Sequence, residues 1–299
     1  MPLSIEATQV GADLIAVDWG TTNRRIFVLD RQGGVLGARR DARGLVSVPK
    51  GGFPRAVAEI RAEFGDYPVV LAGMAGSAKG WVNVPYRPCP AGLADLAGAL
   101  HWAEPGRTAI VPGVADAAGD VMRGEEVQFL GAVAAGLAPP DGLLCQPGTH
   151  CKWAHMTGGA IAGFATAMTG ELFALLKGHS LLADFLTGPV TDGTAFRQGV
   201  AAGLSGRLTT ELFRVRAAAL LGHRSVTDSA AYASGLLIGH DVGGEPRVPG
   251  RAVYIVADAP LAGLYATAVE LTGGVAHPVD SQAAFVAGIT QIWRHVCDD

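Results

Sequence analysis

The chain has 299 residues, 49% of them hydrophobic and 17% charged, with 42 glycines and a formal net charge of −4. That length fits one large domain or two moderate ones, and the apolar share is enough for a sizeable core, which excludes disorder as a description of the whole. A balance of 27 acidic against 23 basic residues gives nucleic acid no basic surplus to bind. The one basic cluster, Arg39, Arg40 and Arg43, is interrupted by Asp41 and reads as a solvated face. Mean hydropathy is +0.29, yet Gly, Pro or a charge interrupts every apolar run short of the roughly 18 residues a membrane span needs. Met1–Asp13 carries Glu6 and lacks a basic head and an apolar middle, so it does not read as a secretory leader. Four scattered cysteines, Cys89, Cys145, Cys151 and Cys297, form no disulfide framework and point to a reducing cytoplasm.

In chain order, Leu14–Asp18 is a short apolar strand ending on an acid, followed by strands at Arg25–Asp30 and Val35–Arg39 across tight turns. Val57, Ile60 and Phe64 recur at helical spacing in Phe53–Phe64. A strand at Val69–Ala72 enters the loop Gly73-Met74-Ala75-Gly76-Ser77; a helix over Leu93–Trp102 and a strand at Ala109–Val111 follow. Glu125–Ala135 reads as a helix stopped by Gly136 and the Pro139-Pro140 pair, which marks a domain boundary and a hinge neighbourhood. The meander then begins again, with strands at Leu143–Gln146, Cys151–Met156 and Ala160–Thr166. Helices at Glu171–Leu176, Leu208–Leu220 and Ala230–Ile238, a strand at Ala252–Ala257, and helices at Leu261–Leu271 and Gln282–His295 complete the chain. Two meanders, each ending its first strand in a glycine-threonine turn, imply two related α/β domains facing one cleft.

The segment Asp18-Trp19-Gly20-Thr21-Thr22-Asn23 places a carboxylate at the end of a buried strand and a polar turn directly after it. Gly20 lets backbone N–H groups approach an anion, and Thr21, Thr22 and Asn23 add side-chain donors for phosphate oxygens. Asp18 would repel bare phosphate, so it makes sense with Mg²⁺ between them, held through water. Pro147-Gly148-Thr149-His150 stands at the matching place in the second half. Two such turns are the phosphate-binding arrangement of the sugar kinase, Hsp70 and actin superfamily, which the chain resembles.

A closer resemblance rests on Ala16–Arg24, on Gly73-Met74-Ala75-Gly76-Ser77 with Gly80-Trp81, and on Val121-Met122-Arg123-Gly124-Glu125-Glu126. Pro147-Gly148-Thr149-His150-Cys151-Lys152-Trp153, Met168-Thr169-Gly170-Glu171-Leu172 and Ser234-Gly235-Leu236-Leu237-Ile238-Gly239 extend it in order across nearly the whole chain. Together these segments resemble the 2-dehydro-3-deoxygalactonokinase family. The resemblance implies an α/β protein of two actin-like ATPase (ribonuclease H-like) domains, each a mixed sheet with helices, around a central cleft. Residues 1–138 would hold the first phosphate turn, the sugar site and the catalytic carboxylate, and 139–299 the second turn and the adenosine site. It implies ATP and Mg²⁺ as cofactors and a small-molecule sugar acid as partner, with no nucleic acid or membrane, and it is compatible with a homodimer. The reaction implied is transfer of the γ-phosphoryl group to the 6-hydroxyl of 2-dehydro-3-deoxy-D-galactonate, a step of galactonate catabolism.

Related sugar kinases carry a catalytic carboxylate on the helix that starts at Gly124, which makes Glu125 the favoured general base. Glu126 lies about 100° further round the helix, so one of the two faces substrate. A guanidinium suits a substrate carboxylate, with Arg123 preferred and Arg24 the second candidate, able to reach phosphate instead. Ser77 and Lys79 sit in the glycine-rich loop that would line the sugar site. Gly20, Thr21, Thr22, Asn23, Gly148, Thr149 and His150 are expected at nucleotide phosphates, with Lys152 and Glu171 flanking them. Val256-Ala257-Asp258-Ala259-Pro260 keeps the strand–turn–helix pattern expected at adenosine, without the usual glycine. His150, Cys151 and His155 lack the paired spacing of a zinc site. The rival readings are a kinase for another sugar on this scaffold and a nucleotide-operated clamp of the chaperone or actin type. Neither a Gly-x-Gly-x-x-Gly nor a Walker string is present to support a Rossmann or P-loop protein.

Overall fold

A computed structural model describes residues 11–298, so Met1–Val10 of the leader reading over Met1–Asp13 lie outside the described residues. Strands β1 (Ala12–Trp19), β2 (Arg24–Asp30) and β3 (Val35–Asp41) pair antiparallel as a meander. One face of it, with Ile15, Val17, Trp19, Ile26 and Val28, packs on helix α1 (Phe53–Phe64) through Phe53, Val57, Ile60 and Phe64. Pro54 in the first turn and Gly65 past the last residue set the bounds of α1.

Strand β4 (Val69–Gly73) lies parallel to β1. It is followed by β5 (Arg87–Pro88), α2 (Leu93–Ala97), β6 (His101–Glu104), β7 (Thr108–Ile110), β8 (Val114–Ala115), β9 (Val121–Met122) and α3 (Glu125–Ala134). The main sheet has the order β3-β2-β1-β4-β7-β6, and β5-β8-β9 form a small second one. The single helix expected over Leu93–Trp102 is corrected. It ends at Ala97, and His101–Glu104 instead pairs antiparallel with β7. Gly98 closes the short helix, and joining the sheet edge gives the following backbone a ladder that a weak helical extension does not.

The later sheet runs β12-β11-β10-β13-β14, from β10 (Gly142–Gln146), β11 (Cys151–Thr157), β12 (Ala160–Ala167), β13 (Ala252–Val256) and β14 (Val275–Val279). That order repeats β3-β2-β1-β4-β7 of the first sheet. Helices α4 (Thr169–His179), α5 (Thr194–Gly203), α6 (Leu208–Leu220) and α7 (Val226–Gly244) lie between β12 and β13, with α8 (Ala259–Leu271) and α9 (Ser281–Asp298) after them.

Helix α5 has no counterpart among the sequence-based elements, because Gly199 and Gly203 lower its helical propensity. The same glycines admit α7. A β-carbon on Gly199 would stand 2.1 Å from the Tyr232 carbonyl oxygen and one on Gly203 2.3 Å from that of Leu236; reciprocally, Gly235 would meet Phe196 O at 2.1 Å and Gly239 Val200 O at 2.3 Å. The backbones therefore touch, and Gly235→Ala should lower stability by ~1–3 kcal/mol, the usual range for overpacking. A denaturant midpoint equal to wild type would contradict the contact.

Contacts divide the chain into two units. The first takes residues up to Pro140, Met156–Gly163 and everything from Ser281; the second takes Asp141–His155 and Phe164–Asp280. The expected split into 1–138 and 139–299 is corrected at two places. Ile161, near the tip of the β11–β12 hairpin, exchanges both backbone hydrogen bonds with Ala91, at 3.1 and 2.9 Å. Helix α9 packs on α3 through another glycine pair: a β-carbon on Gly131 would lie 2.0 Å from Ala284 O, and one on Gly288 2.1 Å from Val127 O. Trp293 Nε1 also donates to Asp13 Oδ2 at 2.9 Å. Among the described residues no helix is long and apolar enough to cross a membrane.

Candidate active site

At the end of β1 the Gly20 amide donates to Asn23 O at 2.9 Å, closing the first glycine-threonine turn. The carbonyls of Gly20, Thr21 and Thr22 accept from Leu45, Val46 and Gly44, at 3.0, 3.1 and 3.0 Å. Thr21, Thr22 and Asn23 are exposed, and among the described residues their amides donate to no backbone carbonyl. The turn is thus held by its carbonyls, while the amides of its exposed residues are left without a backbone acceptor among the described residues, as an anion-binding nest requires. Gly44 is a supporting residue that the motif reading missed.

Strand pleating sorts the charges around this turn. Asp18 stands opposite Arg25, and Trp19 opposite Arg24, so the two pairs point to opposite faces. Arg24 is 2% exposed, bonded through Nε and Nη2 to Asp41 at 3.0 to 3.2 Å, with its guanidinium carbon 5.1 Å from the centre of the Trp19 ring. It lies buried on the core face of the meander, bound to Asp41, and not among the exposed residues of the turn that the motif reading grouped it with. The arginine beside Asp18 is Arg25, one residue past the motif segment, with Nε 3.0 Å and Nη2 2.6 Å from Asp18 Oδ2. Its Nη1 donates to Ser281 Oγ at 3.0 Å, at the start of α9.

The loop after β4 closes on this turn. Gly73 has φ +85°, and a β-carbon there would lie 2.6 Å from Trp19 O. Gly124, at φ +111°, would place one 3.2 Å from Gly73 Cα and 4.0 Å from Asp18 Oδ1. Both positions demand glycine, by backbone angle and by space. They bring the Asp18 carboxylate, the Met74–Ser77 loop and the first turn of α3 together. Ser77 Oγ donates to Met74 O at 2.8 Å, capping the loop's turn, and Lys79 is exposed. Trp81 stacks on Phe53, which in turn meets Trp19, so these aromatics brace the loop and the turn from beneath.

The three charged residues around Gly124 differ sharply. Arg123 Nη2 donates to Val84 O at 2.7 Å and its guanidinium carbon lies 4.3 Å from the centre of the Tyr86 ring. Its Nε and Nη1 are enclosed with no hydrogen-bond partner among the described residues. Each such unpaired buried donor costs about 1–3 kcal/mol. Glu125 is half-buried and accepts from the Arg123 amide at 3.1 Å. Glu126 is 0% exposed. Its Oε2 accepts from the Gly124 amide at 2.6 Å, while Oε1 has no hydrogen-bond partner among the described residues. Burial, then the neighbouring Glu125 carboxylate, pushes the Glu126 carboxyl up to about 8. Its side chain is enclosed, whereas that of Glu125 is half-buried.

In the second unit, Gly148, Thr149 and His150 form the other turn, with Thr149 and His150 exposed. The first turn of α4 backs it: Glu171 N donates to Thr149 O at 2.8 Å, and a β-carbon on Gly170 would lie 2.3 Å from Gly148 O. His150 Nε2 pairs with Glu171 Oε2 at 2.6 Å. Lys152 is 5% exposed, its Nζ donating to Thr166 Oγ1 at 2.8 Å, beneath the turn rather than at its surface. Asp241 on α7 gathers three donors, Trp153 Nε1, Thr169 Oγ1 and Tyr265 OH, at 2.9, 2.7 and 2.8 Å. No motif pointed to Asp241. Asp258 immediately precedes α8 after β13, so the expected strand–turn–helix is present.

The profile of the family described as 2-keto-3-deoxy-galactonokinase matches residues 18–292. The chain belongs to that family. A 2-dehydro-3-deoxygalactonokinase of Escherichia coli is 36% identical over 302 residues, covering 96% of this chain and 99% of the relative. A probable 2-dehydro-3-deoxygalactonokinase of Rhizobium meliloti is 36% identical over 301 residues, covering 94% and 96% respectively. Among solved structures, a candidate 2-dehydro-3-deoxygalactonokinase from Sinorhizobium meliloti aligns with TM-score 0.87 at 36% identity, over 95% of this chain and 99% of that one. The 2-hydroxyglutaryl-CoA dehydratase component A of Acidaminococcus fermentans, at TM-score 0.50 and 10% identity, covers 95% and 98% and shares the fold alone. The 2-keto-3-deoxy-galactonokinase match begins at Asp18 and spans both glycine-threonine turns, the Arg123–Glu126 segment and Glu171.

Proposed function

We propose that this chain transfers the γ-phosphoryl group of ATP to the 6-hydroxyl of 2-dehydro-3-deoxy-D-galactonate, giving the 6-phosphate and ADP. The observation that carries the reading within this chain is the meeting of three segments at Gly73 and Gly124, which sets Asp18, the phosphate turn and the start of α3 side by side. Family membership supplies the substrate class.

Glu125 takes the proton from the acceptor hydroxyl as that oxygen attacks the γ-phosphorus, and the bond to the bridging oxygen of ADP breaks. The N–H groups of Thr21, Thr22 and Asn23 take phosphate oxygens, as does the Gly148–His150 turn. Arg123 is assigned the substrate carboxylate on the chemistry of its guanidinium and its place beside Glu125. Ser77 and Lys79 border the same loop on the sugar side, and Asp258 with the start of α8 marks the adenosine end. Asp18 fits Mg²⁺ held through water: Arg25 occupies Oδ2, while Oδ1 faces Gly124. A cation that keeps most of its waters needs little more than one such oxygen, and when bound it would offset charge on the transferring phosphoryl group.

The test is ADP release with Mg-ATP across 2-dehydro-3-deoxygalactonate, its gluconate epimer, galactose, glycerol and N-acetylglucosamine. Turnover confined to the keto-deoxy acids is expected. Equal turnover of a neutral sugar, or hydrolysis of ATP without any acceptor dependence, would overturn the substrate assignment.

A further inference from the structure

We infer that Glu171 is a positioning residue for nucleotide binding, holding the His150 imidazole in place over the Gly148–Thr149 turn. The inference rests on the proposed role of that turn as a phosphate site. Three contacts join α4 to the turn. Gly170 lies against Gly148, where a β-carbon would be 2.3 Å from the carbonyl oxygen; the Glu171 amide donates to Thr149 O at 2.8 Å; and the Glu171 carboxylate meets His150 Nε2 at 2.6 Å. The same residue therefore fixes the turn's backbone through its amide and the turn's side chain through its carboxylate. Behind it, Thr169 Oγ1 is anchored on Asp241 Oδ2 at 2.7 Å, so the first turn of α4 does not swing freely.

The chemistry of the ring follows from that contact. A carboxylate only accepts, so His150 Nε2 carries the hydrogen, and Nδ1 is left as the nitrogen for a ligand. A phosphate oxygen also only accepts. Contact at Nδ1 therefore needs a second proton on the ring, and the adjacent Glu171 carboxylate balances the charge that such a ring carries. The side chains are 47% and 38% exposed, a setting in which an ion pair adds little to folding stability. What the pair does supply is one fixed rotamer for a ring that would otherwise rotate in solvent. Preorganisation of that kind is read in nucleotide affinity.

Steady-state kinetics of His150→Ala, Glu171→Ala, Glu171→Gln and the double alanine variant test this. Both single alanine variants should raise KM for ATP about tenfold, leave KM for the sugar acid unchanged and lower kcat less than threefold. The double variant should be no worse than either single one, because the two side chains act as a unit. Glu171→Gln should recover only part of the loss, since its amide oxygen still accepts from Nε2 but carries no charge to balance a doubly protonated ring. If His150→Ala raises KM for ATP and Glu171→Ala does not, the positioning role is wrong and the phosphate turn stands. If neither variant alters KM for ATP, the role of the turn itself fails. Additive losses, or equal rises in both KM values, would mark Glu171 as a structural support and overturn the inference.

Discussion

Glu125→Gln should lower kcat by ~10²–10⁴ while KM for the sugar acid stays within a few-fold, the pattern of a lost general base. The substitution is close to isosteric and leaves an oxygen to accept from the Arg123 amide, a bond of 3.1 Å in the native protein. Fold and loop geometry should therefore survive, and only proton abstraction goes. Losing a surface charge at a helix start costs about 0.3–1 kcal/mol of stability and leaves rate almost untouched. The two cases are far apart in size. A variant with near wild-type kcat and slightly lower stability would reduce Glu125 to a helix-terminal charge.

Glu126→Gln should stabilise the protein, and more at pH 8 than at pH 5. The Glu126 carboxyl is pushed up to about 8 by burial and by Glu125, against an ordinary value of 4.5. Below 4.5 the folded and unfolded states both hold the proton, and the group contributes no pH dependence. Between 4.5 and 8 the unfolded chain releases the proton that the folded chain keeps, so folding stability falls as pH rises. The slope is roughly 1.4 kcal/mol per pH unit crossed. Above 8 both states are ionised and the slope ends. Glutamine keeps an acceptor for the Gly124 amide and has no proton to lose, so the gain in denaturant midpoint should widen across that window. A gain that is equal at pH 5 and pH 8, or a loss at both, would show that Glu126 ionises normally in the folded protein.

Period and turn chemistry made much of the fold legible. Phe53–Phe64 is a helix over the residues its apolar spacing gives, and the two meanders stand where two runs of apolar residues end in glycine-threonine turns. The failures share a cause. Leu93–Trp102, α5 and α9's attachment are decided by partners distant in sequence: a sheet edge for the first, glycine faces on α7 and α3 for the others. In the site, residue types marked the turns, the loop and the Arg123–Glu126 segment, but they do not say which way a side chain points. Arg24 and Arg25 are neighbours of the same type, and only the register of β1 against β2 sends the second to Asp18 and the first into the core. Glu125 and Glu126 are separated by burial, half-buried for the first and complete for the second.

The packing of α9 on α3 has a consequence for how the protein is made. Helix α3 carries Glu125 and presents Gly131 to the backbone of Ala284, in an element synthesised about 150 residues later. Until Ser281–Asp298 leaves the ribosome, α3 lacks the backbone that packs on Gly131, and Phe27 of the first sheet lacks the Phe285 ring that meets it at 5.6 Å. The first unit to be translated is therefore the last to close. A chain stalled or cleaved before α9 holds every residue proposed for chemistry and lacks the helix that seats them.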